Sequence, residues 1–161
     1  VGVAQGLAYG VNCPMIGVSS LDALAHQANV DGHVIAAIDA RMGEIYCCQY
    51  RNVAGRLQRL SELEVLKPAA VNTTKNQSTD VFLVGNAWSE YWQQFDSALL
   101  QHATHLDQIV YPSAVSILYL AQAKYQAKDT VSAADFAPEY VRNDVAKKAV
   151  AKKKTPKQPS S

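Results

Sequence analysis

The chain has 161 residues, 48% of them hydrophobic and 18% charged, with a formal net charge of +1. This excludes globally disordered, collagenous and coiled-coil classes and allows one domain, or two small ones, with a core of their own. No apolar run reaches the roughly 18 residues of a membrane helix, and the opening residues lack the basic and apolar regions of a signal peptide.

The sequence opens on "VGVAQGLAYG", without Met and already inside a periodic pattern, and reads as a fragment lacking an N-terminal part. Gly2, Gly6 and Gly10 recur every four residues and share one face of a helix. Glycine costs about 1 kcal/mol against alanine inside a helix, so the stripe points to close backbone approach, either by this protein's own sheet or by a partner helix. Gly10 also suits a C-cap. A short strand is expected from Met15 to Val18. Ser19 then N-caps a second helix, on which Leu21, Leu24, Ala25 and Ala28 form a stripe of small and apolar residues; His26 lies off it and is expected to be exposed.

Val34 to Ile38 is an apolar run of the kind found in a buried central strand. Asp39 to Gly43 supplies turn chemistry, and Glu44 to Tyr50 returns as the second strand of a hairpin. "LQRLSELEVL" (57–66) reads as a third strand, followed by a helical segment over Ala69–Asn76 opened by Pro68. Val81 to Gly85 is another buried strand. "AWSEYWQQFDSALL" reads as one helix, with Trp88, Tyr91, Trp92 and Phe95 on a core face. Ser113 opens the strongest helix, Ala114 to Lys128, whose period is followed by Val115, Leu118, Ala121, Gln122 and Tyr125. The whole is α/β with a mixed sheet.

Charge divides near the C-terminus. All 14 acids precede residue 145, with nine of the 15 Lys and Arg, which leaves residues 1–146 at −5; six lysines from Lys147 to Lys157 add +6. An acidic body does not read as a nucleic-acid surface, and "KKAVAKKKTPKQPSS" has little to bury and reads as a flexible, solvated tail.

Little here carries chemistry. Cys13, Cys47 and Cys48 are odd in number, and the adjacent pair points to opposite strand faces, so no disulfide framework or zinc site follows and a reducing cytosol fits. P-loop, GxGxxG, GxSxG and HExxH patterns are absent from the sequence. His102 and His105 have the only metal-like spacing, and a polar loop is the plainer reading. Glu62 and Glu64 share an exposed strand face. Asp39 with Arg41 is the better polar candidate, as a carboxylate at the end of a buried strand; the two equally suit bonding to the turn backbone or to each other.

Several segments resemble one family, the bacterial TsaB proteins, also called YeaZ: "GVAQGLAYG" (2–10), "PMIGVSSLDALA" (14–25), "AAIDARMGEIY" (36–46), "LKP" (66–68) and "PEYVRNDVA" (138–146). The resemblance implies an actin-like (ASKHA) fold of two lobes. Residues 1–32 would be the remnant of an incomplete N-terminal lobe, 33–146 a complete C-terminal lobe, and 147–161 the tail. It implies a cytoplasmic, non-catalytic subunit that pairs with TsaD in forming N6-threonylcarbamoyladenosine at position 37 of tRNA, with TsaE joining the complex and tRNA reached only through it. The TsaD-type H-x-x-x-H metal motif is missing, no cofactor is implied, and no protease chemistry supports the family's older glycoprotease-like label. Helices matching Val1–Tyr9 and Ser19–Ala28 pair with a partner in the family, which nominates Gly2, Gly6, Leu21, Leu24, Ala25 and Ala28 as interface residues. Two other readings compete: a module that only forms a homodimer, and a nucleotide-binding kinase-like enzyme or hydrolase working through Asp39 and Arg41.

Overall fold

The structure, a computed structural model, describes residues 1–72, 80–139 and 141. The 147–161 tail, residues 73–76 of the expected Ala69–Asn76 helix and most of the 138–146 motif lie outside those residues.

Two long strands dominate. β1 (Gly32–Arg41) and β2 (Glu44–Val53) form the expected antiparallel hairpin, in register from Gly32 opposite Asn52 to Asp39 opposite Ile45. β5 (Val81–Val84) lies parallel to β1 on its other side, and β6 (Ala103–His105) extends the sheet parallel to β5. On the outer side of β2, β3 (Arg56–Arg59) pairs with its distal half and β4 (Glu64–Leu66) with its proximal half. The order is therefore β3-β2-β1-β5-β6, with β4 beside β2, a mixed sheet as expected.

The single strand expected over 57–66 is broken at its middle. Ser61 Oγ accepts the Gln49 N–H at 3.0 Å and the Leu60 N–H goes to the Gln49 carbonyl, so a side chain stands in for part of the ladder and the edge kinks. Met15 makes one antiparallel bridge, to Val131, rather than a strand over Met15–Val18. The described part of the Ala69–Asn76 segment holds only the 3-10 turn Pro68–Ala70.

Strand alternation sends residues to two cores. Val34, Ala36, Cys48, Tyr50 and Val84 pack beneath α2 (Ser20–Gln27); Ile35, Ala37, Ile45, Cys47 and Leu83 pack beneath α3 (Asn86–Tyr91) and α4 (Ser97–His102). Cys47 and Cys48 thus enter opposite cores, as read from the sequence, and burial pushes the Cys47 thiol up to about 12, where it holds its proton.

The expected 14-residue aromatic helix is two helices. A 3-10 turn at Trp92–Gln94 leads to Phe95 in extended backbone, and Asp96 restarts the chain by accepting the Ala98 N–H. Phe95 therefore folds back on Trp88, ring centroids 4.2 Å apart, while the buried indole N–H donates to the Val84 carbonyl. Trp92 leaves the core face and stacks on His105.

α5 (Ala114–Gln126) has the predicted Ser113 cap. Its stripe is reversed: Val115, Leu118 and Tyr125 are exposed, and Ser116 is its one buried residue. α5 packs on α2, where Gln27 accepts the Ser113 N–H and Tyr119 stacks on His26. His26 is consequently half-buried, not exposed as expected.

Candidate functional site

α1 (Gly2–Gly10) buries none of its residues. Gln5 and Ala8 are its half-buried positions, and the Gln5 side-chain amide donates to the carbonyls of Ala133 at 2.7 Å and Phe136 at 3.2 Å. A helix advances about 100° per residue, so the face opposite Gln5 and Ala8 carries Val3, Gly6, Leu7 and Gly10, with Gly2 on its flank. Val3 is 81% and Leu7 68% exposed. A Cβ built on Gly2, Gly6 or Gly10 would meet nothing within 4 Å. The glycine stripe therefore does not serve this domain's own sheet. It lies in a bare, largely apolar face that another helix could approach closely.

α2 differs. Leu21, Leu24, Ala25 and Ala28 are all buried, in one core cluster with Tyr50, Val84 and Ile109. The expectation that these four form a partner interface is corrected. α2 lies between the sheet and α5, and its small residues serve close packing inside the domain. Helical spacing cannot distinguish a stripe that meets a partner from one that meets a sheet.

The polar candidate stands where sequence reading put it, at the C-terminal end of β1. A register shift between Asp39 and Arg41 opens the hairpin end, and Arg41, Met42 and Gly43 all adopt positive φ, from 60° to 74°. The Asp39 carboxylate accepts the Arg41 N–H and the Tyr91 O–H, each at 2.8 Å, and Arg41 approaches it at 3.7 Å. Asn86 Oδ1 accepts the Asp39 N–H at 3.0 Å, continuing a ladder that β5 has already left. The backbone donor at Arg41, helped by the Tyr91 hydroxyl, holds the Asp39 carboxyl below its usual range, and the same bond raises the Tyr91 phenol.

Asn86 and Tyr91 join this constellation although nothing local in the sequence nominates them. Gly85 makes it possible. Its φ is +105°, its N–H donates to the Ile109 carbonyl, and a Cβ there would collide with the Ala37 carbonyl oxygen. Asp39 and Asn86 sit at the C-terminal ends of adjacent parallel strands, where ligands of open α/β sheets gather. The carboxylate is already engaged by its own turn and by Tyr91, so the arrangement fits holding the hairpin end better than proton transfer. Among the described residues no three of His, Cys, Asp and Glu are placed to hold a metal ion, and His105 faces Trp92 instead of pairing with His102.

Comparison with known proteins gives one family model, two relatives and two solved structures. Residues 1–150 match the model of the family described as TsaD: tRNA N6-adenosine threonylcarbamoyltransferase. The tRNA threonylcarbamoyladenosine biosynthesis protein TsaB of Haemophilus influenzae is 37% identical over 159 residues, covering 89% of this chain and 63% of that protein. Its Escherichia coli counterpart is 37% identical over 153 residues, covering 91% and 64%. Two Pseudomonas aeruginosa structures, one of an uncharacterized protein similar to peptidase YEAZ and one of YeaZ, superpose with TM-scores of 0.77 and 0.76 at 32% identity, covering 88% and 86% of this chain and 65% of each. The chain spans just under two thirds of the length of these relatives.

Proposed function

We propose a role for this chain from one premise: it belongs to the TsaB (YeaZ) family, within the wider family described as TsaD: tRNA N6-adenosine threonylcarbamoyltransferase. Its fold is accordingly the actin-like α/β type, with a mixed sheet. In our reading residues 1–32 belong to the N-terminal lobe and 33–146 to the C-terminal one. The chain acts as a non-catalytic subunit in forming N6-threonylcarbamoyladenosine in tRNA, pairing with TsaD. TsaE and tRNA join only through that complex, in the cytoplasm. No helix of the described residues is long and apolar enough to cross a membrane.

The observation that carries this reading is α1. A helix with no buried residue, anchored by one glutamine, turns Val3, Gly6, Leu7 and Gly10 outward. Each glycine costs about 1 kcal/mol of helix propensity that the domain itself does not recover. A partner helix seated on Gly2 and Gly6 would recover it by close packing. Asp39, Arg41, Asn86 and Tyr91 then act as a brace for the hairpin end.

The test is light scattering on a sizing column, with the chain alone and then mixed with purified TsaD. A 1:1 complex is expected, and Gly6→Leu should abolish it while leaving the circular dichroism and melting of the isolated chain intact, since the new side chain enters open space. Unchanged affinity in Gly6→Leu would remove α1 from the interface. A dimer of the chain alone that Gly6→Leu breaks, with no TsaD complex, would assign the face to a second copy.

A further inference from the structure

The hairpin joining β2 and β3 carries a feature that the TsaD reading does not use. Its two-residue turn, Ala54-Gly55, takes positive φ at both positions, 50° and 75°, the geometry of a tight type I′ hairpin. Arg51 stands directly opposite Gln58, and Val53 opposite Arg56. In an antiparallel pair both rows point to the same side, so two guanidinium groups and a carboxamide share one face. These residues, all exposed, line with Ala54 a half-open surface hollow of about 530 Å³.

The arginines differ in their pairing. Arg59 makes a two-pronged contact with Asp22, and Arg41 pairs with Asp39. Arg51 and Arg56 have no ion-pair partner among the described residues. The Asp31 carboxylate accepts the Ala54 N–H at 2.8 Å and fastens the turn to the start of β1. His33 stands opposite Arg51 on the inner strand, adding no negative charge. Residues 1–146 sum to −5, so an unpaired arginine couple in a surface hollow is a local exception to the field of the body.

We propose that this hollow binds a single phosphate group between Arg51 and Arg56. A guanidinium fork matches two phosphate oxygens at once, and the Gln58 amide adds a neutral donor beside it. Like charges on one face of a β ladder repel, and a bound oxyanion relieves that repulsion. The ligand is small, either free phosphate or the phosphate of a mononucleotide, because the acidic body disfavours a long polyanion.

The inference is independent of pairing with TsaD, and its test uses the chain by itself. Titration calorimetry at low salt should show saturable 1:1 binding of inorganic phosphate and of AMP. Arg51→Gln and Arg56→Gln should each weaken it about tenfold or more, and the double variant should lose it. Lys124→Gln, which removes the same charge on α5, should leave it unchanged. Tighter binding of AMP than of phosphate would identify a nucleotide as the source, and equal binding free phosphate; both support the site. Absence of saturable heat at millimolar phosphate and AMP, equal binding by the arginine variants, or binding of tRNA alone would overturn it.

Discussion

Gly85 concentrates more consequence than any other single position. Its left-handed backbone and its contact with the Ala37 carbonyl leave no room for a side chain, and the residue after it supplies the amide that completes the Asp39 ladder. Gly85→Ala should therefore destabilise the fold by at least about 2 kcal/mol in urea denaturation, through forbidden φ and steric conflict together. Exchange of the Asp39 amide should accelerate with it. A midpoint within experimental error of wild type would mean that β1 and β5 yield there, and that the brace at Asp39 is looser than its geometry implies. The strand-end carboxylate was legible in the sequence because an apolar run ends on it. Asn86 and Tyr91 were not, because they reach Asp39 across 47 and 52 residues through a β1–β5 pairing that no local pattern encodes.

Among the elements, those with long, uninterrupted patterns were the legible ones: the β1–β2 hairpin, β5, and the capped helices opened by Ser19 and Ser113. Interruptions by single side chains were missed. Ser61 splits one expected strand in two by accepting the Gln49 N–H of the neighbouring strand, and Asp96 divides one expected helix by accepting the Ala98 N–H two residues on. β6, at three residues, is too short to leave a periodic trace. The join between α2 and the sheet rests on a buried polar contact. The Tyr50 hydroxyl, wholly buried, donates to Asp22 at 2.8 Å, and Arg59 grips both oxygens of the same carboxylate. Asp22→Ala should cost about 2–3 kcal/mol, because it strands the Tyr50 hydroxyl, whereas Tyr50→Phe, which removes that donor, should cost less. Equal losses for both variants would show that leaving the Tyr50 hydroxyl unpartnered costs nothing beyond the lost hydrogen bond itself.

For the molecule as a whole, a buried imidazole, His33, and a half-buried one, His105, set the response to acid. Burial holds both His33 and His105 below the ordinary value near 6.5; Gln49 opposes and Arg51 reinforces the shift at His33, and Asp107 opposes it at His105. The unfolded chain then takes up protons first as the pH falls. Stability is accordingly full above pH 6.5 and declines as the pH drops through the lowered folded values, with a second decline below about 3.8 as Asp39 loses its charge. Urea midpoints at pH 7.5 and 5.5 should differ, and His33→Gln should shrink the difference. An undiminished difference in that variant would assign the acid response to other groups.

Both margins of the sheet are blunt. One is kinked at Ser61 between β3 and β4, and the other ends in the three residues of β6. A strand edge that is short or bent is a poor template for another chain's strand. Half of the exposed large apolar side chains among the described residues lie instead on α1 and α5, where the backbone is hydrogen-bonded within each helix. Crowding this protein should thus yield finite, reversible clusters that disperse on dilution, and not the growing cross-β fibrils that an open flat edge would seed.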